Sequence, residues 1–264
     1  MQQAAGVAIG RRASNFATPP SIVVRGMRVY LSFSQLFEAG APLDWKSTDH
    51  SNAIPSIEAA ISCLADVGMA DAVAAAISNI VIFQSERNNS FFHPSYPRTI
   101  FINLDRSHDK FHLIEEIVHQ TGHSLLHELS PDGSLFVEID AEFVSTSGAE
   151  ADDHGGTAAT VRFHSMVTLA LICQCYVALL QRSSELDAVL MGRLAFAARK
   201  LAPDIQDFLA QKTILQNPGL RIIRTVLNNY GEMIARHGGA LTALNLDGQP
   251  YVFDNVLFRA ANAL

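Results

Sequence analysis

The sequence predicts an α+β fold, with a small mixed sheet in the N-terminal half and a mainly helical C-terminal half. Three observations carry this prediction. The β-rich runs NIVIFQ (79–84) and RTIFINLD (98–105) both lie in the first half of the chain. Helical patterns dominate from about residue 107 onward. A nearly continuous apolar stretch at 163–180 is typical of a central helix that is buried on all sides.

Strand and helix signals alternate in the N-terminal half. Residues 21–37 predict a strand or two followed by a turn, and residues 54–76 predict two short helices broken near Gly68. A polar loop with two prolines separates the two β-rich runs. A helix is predicted next at about 107–129, and it ends at the strong turn signal S-P-D-G.

The C-terminal half is predicted to be helical after one strand. That strand is expected at 134–139 and leads into an acidic, glycine-containing loop at 147–156. Helices are predicted at about 157–182, 184–201 and 219–238. Because Asp247-Gly248 is a typical hairpin turn, we expect a short hairpin at 241–253.

The composition favours a compact globular protein. Of its 264 residues, 48% are hydrophobic and 17% are charged, which indicates a sizeable core. The formal net charge is −7 and the basic residues are scattered, so we expect no nucleic-acid partner, which would need a concentrated basic stripe. Cys63, Cys173 and Cys175 fit neither a disulfide framework nor a C-x-x-C site. They favour free thiols and a reducing cytoplasm.

Two segments resemble a secretion signal and a membrane span, but the sequence favours neither interpretation. Residues 1–20 place their arginines after a weak apolar patch, the wrong order for a secretion signal, so we expect a flexible N-terminal arm. The stretch at 163–180 approaches the ~18 residues of a membrane span. It contains His164 and Gln174, and a histidine is costly in lipid. We therefore expect no membrane partner.

One face of the helix predicted at about 107–129 carries a column of histidines. His119 and His123 are four residues apart, so their side chains lie one turn above each other. Two imidazoles at this spacing can converge on one metal ion. Such pairs also occur by chance, but five of the ten histidines fall between 108 and 127. We therefore predict that His119 and His123 are metal ligands.

A catalytic metal ion needs a third protein ligand. His164 is the first candidate, because it is the only histidine in the long apolar helix, where an unpaired imidazole is costly to bury. The threonines on its side of the helix are Thr157, Thr160 and Thr168. A core histidine bonded to a threonine or a carbonyl is the alternative. Other candidates for the third ligand are His127, Glu138 and Glu142.

Gln120 occupies the position of the glutamate in the zinc-binding signature H-E-x-x-H. That glutamate takes a proton from metal-bound water, which an amide cannot do. Hydrolysis would need Glu115 or Glu116 as the base. A non-haem Fe(II) oxygenase needs no protein base, so Gln120 can serve it as a neutral hydrogen-bond partner. Glu116 or Glu115 can orient His119 through its other ring nitrogen. Gln120 and Glu116 are thus the candidate catalytic residues.

Three segments resemble the H-E-x-x-H-motif proteins found beside bacterial peptide-modification genes. They are FHLIEEIVHQTGHSLLHEL, HPSYPRTIFINLD and GTAATVRFHSMVTLA, and the resemblance covers roughly residues 90–180. Some members of that group are iron- and 2-oxoglutarate-dependent hydroxylases of ribosomally made precursor peptides. The resemblance implies metal ligation by His119, His123 and His164, with Fe(II) and 2-oxoglutarate as cofactors. Gln120 departs from the glutamate that names the family.

A 2-oxoglutarate site also needs a cation for the distal carboxylate, and arginine matches a carboxylate bidentately. Arg162 is close to His164 in sequence, but residues two apart on a helix point about 200° apart. Arg162 would therefore serve only if the helix were irregular. The other candidates around this site are Arg98, Arg193, Thr160 and Thr168.

The sequence thus predicts one metalloenzyme domain at 21–264. The first hypothesis is an Fe(II)/2-oxoglutarate-dependent oxygenase that hydroxylates a precursor peptide or a peptide-like molecule in natural product biosynthesis. The alternatives are a zinc metallohydrolase with an unusual base, and a metal-free peptide-binding protein whose histidines are structural.

Overall fold

The computed structural model describes residues 21–30, 50–85, 89–104, 110–132, 134–138, 158–182, 187–210 and 214–264. The strands are β1 (Ser21–Val24), β2 (Met27–Tyr30), β3 (Asn79–Phe83), β4 (Phe91–Phe92), β5 (Thr99–Asn103), β6 (Val137–Glu138) and β7 (Ile214–Leu215). The helices are α1 (His50–Asp66), α2 (Ala70–Ala76), α3 (Lys110–Leu129), α4 (Ala158–Arg182), α5 (Ala188–Ala210), α6 (Asn217–Thr242) and α7 (Asn255–Asn262). The predicted α+β class is confirmed, with the mixed sheet first and the helices dominating afterwards. The predicted arm at 1–20 lies outside the described residues.

The main sheet has five strands in the order β1-β2-β3-β5-β4. The pairs β2–β3 and β3–β5 are parallel, while β1 and β4 add antiparallel edges. From Ile80 to Phe83 and from Ile100 to Asn103 the central strands are buried on both faces, which explains their continuous apolar sequences. The strand β4 was not predicted. It is only two residues long, and it pairs Phe91 with Phe101 at the edge of the sheet.

The helical half packs around α4, which contacts α5, α3 and α6. The segment Ala159–Arg182 is long and apolar enough to cross a membrane by length and composition. Yet 56% of its most apolar window is buried inside the fold, as in the core helix of a globular protein. Cys173 and Cys175 are buried free thiols on this helix, as the sequence predicted.

The closest approach of α3 to α4 depends on Gly122. A Cβ atom at this position would lie 2.9 Å from Cγ2 of Thr168 and 3.1 Å from Cδ1 of Leu171. A Cβ atom here would require the Thr168 methyl group to shift or the two helices to separate. The contact therefore fixes the spacing between the histidine face of α3 and the residues of α4.

The predicted C-terminal hairpin is wrong, because no strand forms at 241–253, a segment that is described throughout. Gly248 does adopt the left-handed turn conformation, with φ +77°. The chain then enters α7 instead of a second strand. Asp254 caps this helix by accepting hydrogen bonds from the backbone N–H groups of Val256 and Leu257. The fully buried Phe258 anchors α7 to the core.

The strand expected at 134–139 is also shorter than predicted. Only β6 is extended, and its partner β7 was not recognised in the sequence. Two-residue strands carry no alternation from which they could be identified.

Replacing Gly122 by alanine should destabilise the protein by about 1–2 kcal/mol, since the overpacking at Thr168 outweighs the gain in helix propensity. Gly231→Ala is the matched control, because its Cβ would meet nothing within 4 Å on α6. That change should stabilise the protein by about 0.5–1 kcal/mol. Denaturant unfolding of both variants measures the difference. An equal gain for both would mean that α3 and α4 are not in tight contact at Gly122.

Candidate metal centre

The rings of His119 and His123 face each other on α3. Their Nε2 atoms are 3.0 Å apart, and their ring centroids are 4.9 Å apart. This is the convergence that the four-residue spacing predicts on a regular helix.

His164 on α4 joins this pair. Its ring centroid is 5.9 Å from that of His123, and its Nε2 atom is shielded from solvent. Because the helix contact at Gly122 brings α4 against α3, it carries His164 to the histidine face. The structure thus places the ring of His164 next to that of His123.

The other predicted third ligands lie elsewhere or outside the described residues. The ring of His127 packs against that of Phe92, with 5.3 Å between centroids, so it faces the edge strand β4. Nothing is described of the side chain of Glu138, and Glu142 lies outside the described residues, as does Thr157.

The geometry fits a metal ion at two of the three ligands. With Zn–N bonds of ~2.0–2.1 Å, two nitrogens in a tetrahedral site lie about 3.4 Å apart, and at right angles about 3.0 Å apart. The observed 3.0 Å suits the second arrangement, and it also suits a hydrogen bond between two imidazoles. Among the described residues, no three His, Cys, Asp or Glu side chains are arranged closely enough to hold an ion. The donors present are therefore two convergent imidazoles and a neighbouring third.

Gln120 ties α3 to the edge of the sheet. Its Nε2 donates a hydrogen bond to the backbone oxygen of Ser90, next to β4, at 3.2 Å. The side chain is buried, and its Oε1 receives no hydrogen bond from the described part of the chain. The amide nitrogen of Gln120 thus donates a hydrogen bond within the fold, while its oxygen accepts none from the described residues.

Glu115, one turn before His119, belongs to a buried polar network. Its Oε2 accepts a hydrogen bond from the Tyr176 hydroxyl at 2.6 Å and from Nη1 of Arg193 at 3.3 Å. Arg193 is only 2% exposed, and its guanidinium stacks 4.8 Å from the ring centroid of Phe253. Burial and the adjacent Glu115 carboxylate raise the pKa of Tyr176 well above its ordinary value, so the phenol stays protonated. This network links α3, α4 and α5 beneath the histidines.

Each arginine that the sequence proposed as a carboxylate anchor is bonded to the protein itself. Nη1 of Arg162 lies 2.7 Å from Oδ2 of Asp207, on α5. Nε of Arg98 donates to the Ser78 hydroxyl at 2.8 Å, and its Nη1 lies 3.8 Å from Glu128. With Arg193 held by Glu115, all three guanidinium groups already have partners.

The two threonines proposed for the same site have different surroundings. Thr168 is fully buried at the helix contact, and its hydroxyl donates to the backbone oxygen of Ser165 at 3.0 Å. It thus acts in packing. Thr160 is half-buried near the start of α4, one turn before His164.

Lys200 on α5 is a residue of this region that the sequence did not reveal. Its Nζ donates to the backbone oxygen of Tyr251 at 2.9 Å and lies 3.9 Å from the centroid of that ring. Burial lowers the pKa of Lys200, while the nearby carboxylates of Glu115, Asp204 and Glu116 act in the opposite direction. In sequence it is one more charge on an amphipathic helix, and only the packing of α5 brings it to this site.

Burial also lowers the pKa of His119, with Glu115 opposing and Lys200 adding to the shift. The neutral imidazole that metal ligation requires is therefore the favoured form near neutral pH.

The sequence matches no model of a known protein family and no curated protein. The resemblance to H-E-x-x-H-motif proteins therefore stays a prediction that rests on the segments themselves.

The lowered pKa of His119 predicts a pH-dependent stability of the metal-free protein. The unfolded chain takes up a proton near pH 6.5 and the folded state does so only at lower pH. Stability is thus fully present above pH 6.5 and falls as the pH drops towards the folded-state pKa. Unfolding free energies with a chelator between pH 5 and 8 should show this decline, and His119→Asn should reduce it. His93→Asn, an exposed control, should leave the decline unchanged; equal slopes in all three proteins would contradict the assignment.

Glu115→Gln should destabilise the protein by about 3 kcal/mol, because it leaves the buried Arg193 without a charged partner. Glu128→Gln is the control, since it removes only the long, more exposed contact to Arg98 and should cost less than about 1 kcal/mol. Thermal and denaturant unfolding compare the two. Similar small losses would show that Arg193 finds another partner.

Proposed function

We propose that this protein is a metal-dependent oxygenase, in which His119, His123 and His164 hold a non-haem Fe(II) ion and 2-oxoglutarate is the co-substrate. The substrate class is a peptide or a peptide-like molecule. The observation that carries the proposal is the 3.0 Å approach of the His119 and His123 Nε2 atoms, with the ring of His164 beside them.

The surroundings of the histidines favour oxygenation over hydrolysis. A zinc peptidase needs a carboxylate that can take a proton from metal-bound water. Here Gln120 is an amide that is bonded to Ser90, and Glu115 is held by Tyr176 and Arg193. Glu115, one of the two acidic side chains predicted as bases, is therefore engaged in the buried network. An Fe(II) centre with open positions for a co-substrate and O₂ needs none of them.

The residues of the chain have separate tasks in this proposal. The neutral histidines supply nitrogen donors, and Gln120 holds β4 against the histidine helix. When bound, Fe(II) and 2-oxoglutarate would supply the oxidising power. Among the described residues Lys200 makes no ion pair, unlike Arg98, Arg162 and Arg193, so Lys200 is the better candidate for the distal carboxylate of the co-substrate.

The edge strand supports a peptide substrate. In the described sheet β4 is the last strand, paired only with β5. An extended peptide can add to such an edge through backbone hydrogen bonds. Gln120 bonds to Ser90 beside this edge, so a peptide there would run near the histidines.

A metal-free binding protein is the second candidate. It is favoured by the hydrogen-bonding distance between the two imidazoles, and by the lack of a complete three-ligand group in the described ranges. In that case the histidine pair would be a buried polar contact that stabilises α3.

Metal analysis and turnover together test the proposal. Protein purified without a histidine tag and loaded with Fe(II) without oxygen should hold about one ion per chain. With oxygen, 2-oxoglutarate and peptides encoded beside its gene, it should release succinate and add one oxygen atom. His119→Ala, His123→Ala and His164→Ala should each weaken metal binding more than the ~100-fold expected for changes to outer partners. His127→Ala, on the same helix but facing Phe92, should retain binding.

Each contrary result has a distinct meaning. Substoichiometric metal that the histidine variants do not change would favour the metal-free protein. Peptide cleavage with Zn²⁺ in the absence of oxygen would favour the hydrolase.

A further inference from the structure

A cavity lies in the helical half, between α4, α5 and α6. Its volume is about 400 Å³, within the range of small-molecule sites. Cys173 and Val177 of α4 and Leu201 of α5 form part of its wall, and α6 closes the other side with residues from Asn229 to His237.

This cavity is separate from the histidine centre. Cys173 follows His164 by nine residues on the same helix, which corresponds to about 14 Å along the axis and to the opposite face. Two faces of α4 thus border two different sites.

The polar side chains of α6 in this cavity are not used by the fold, and those of Glu232 and Arg236 are exposed to solvent. Within the described residues, the side chains of Asn229, Glu232 and Arg236 make no hydrogen bond or ion pair with the protein. Glu232 and Arg236 are four residues apart, the spacing at which such charges normally pair on a helix, but they are not paired here. The His237 ring lines the same wall, and its Nε2 is buried without a hydrogen-bond partner in the described chain. A buried nitrogen in this state is costly unless a ligand or water satisfies it.

The remaining wall is apolar or neutral. Met233 lies between the charged residues, and the buried Cys173 has its pKa raised to about 12 by burial, so it remains an uncharged thiol. Tyr230 borders this thiol, and its pKa is raised chiefly by burial. The cavity therefore combines a cation, an anion and an uncharged floor.

We propose that this cavity binds a small zwitterion, a free α-amino acid. Arg236 and His237 bind the carboxylate, Glu232 binds the ammonium group, and the side chain of the ligand lies on the floor near Met233. Arginine suits a carboxylate because it donates two parallel hydrogen bonds. The Cβ atoms of residues four apart on a helix are about 5–6 Å apart, which matches the small separation of the two ligand charges.

Calorimetry on the full chain with free amino acids, and with the same amino acids capped at both ends, tests this inference. We expect binding of the free amino acid and at least tenfold weaker binding when both ends are capped, since charge-assisted hydrogen bonds are lost.

Four variants locate the site. Arg236→Gln and Glu232→Gln should each weaken binding about tenfold. Ala178→Phe should abolish binding by filling the cavity. Arg224→Gln, an exposed arginine of α6 outside the cavity, should leave the affinity unchanged, and circular dichroism confirms that each variant is folded.

The inference is overturned if no free amino acid binds at millimolar concentration, if capped and uncapped amino acids bind equally, or if Arg236→Gln and Glu232→Gln leave the affinity unchanged. Binding here does not require a metal ion. His119→Ala should therefore retain it, whatever happens to the oxygenase activity.

Discussion

The close contact between α3 and α4 is the constraint on which the rest of the site depends. An added Cβ at Gly122 would lie 2.9 Å from the Thr168 methyl group, so the glycine allows the close approach of the two helices that places His164 beside His123. The glycine is one residue before a predicted ligand, and the threonine is one turn after another. The residues that set the distance between the helices are thus interleaved with those that would perform the chemistry.

The buried charges near the histidines are also constrained by packing. A fully enclosed guanidinium is tolerable only when a carboxylate and an aromatic face surround it, as Glu115 and Phe253 do for Arg193. Replacing such a pair by apolar residues often costs nothing in stability, so stability alone does not explain its presence. The network fixes the rotation of α3 relative to α5, and with it the direction in which the histidine column points.

The sequence predicts best what depends on local pattern. The runs around Ile80 and Ile100 identify buried strands, and the four-residue spacing of His119 and His123 is enough to identify a shared helical face. His164 is predicted as the third ligand by an energetic argument, because an unpaired imidazole in an apolar helix is costly to bury. What the sequence could not supply depends on contacts between distant segments. Lys200 comes near the histidines only because α5 packs against α4.

The hairpin predicted at 241–253 is wrong for the same reason, because its formation depends on contacts beyond the local sequence. The Asp247-Gly248 turn is correct as a local feature, but whether strands follow it depends on Phe253 and Phe258, whose rings pack 5.2 Å apart in the core. The arginines proposed for the co-substrate were reasonable by chemical type, and their actual partners, such as Asp207 for Arg162, lie tens of residues away.

The bond between Gln120 and Ser90 has a consequence for which side chain this position can carry. A glutamate at this position would direct a carboxylate oxygen at a backbone carbonyl, so two acceptors would repel each other where a donor now bridges helix and sheet. Introducing the H-E-x-x-H glutamate would therefore weaken the attachment of the edge strand at the same moment that it introduced a base. The identity of residue 120 is thus coupled to the path of the chain beside β4.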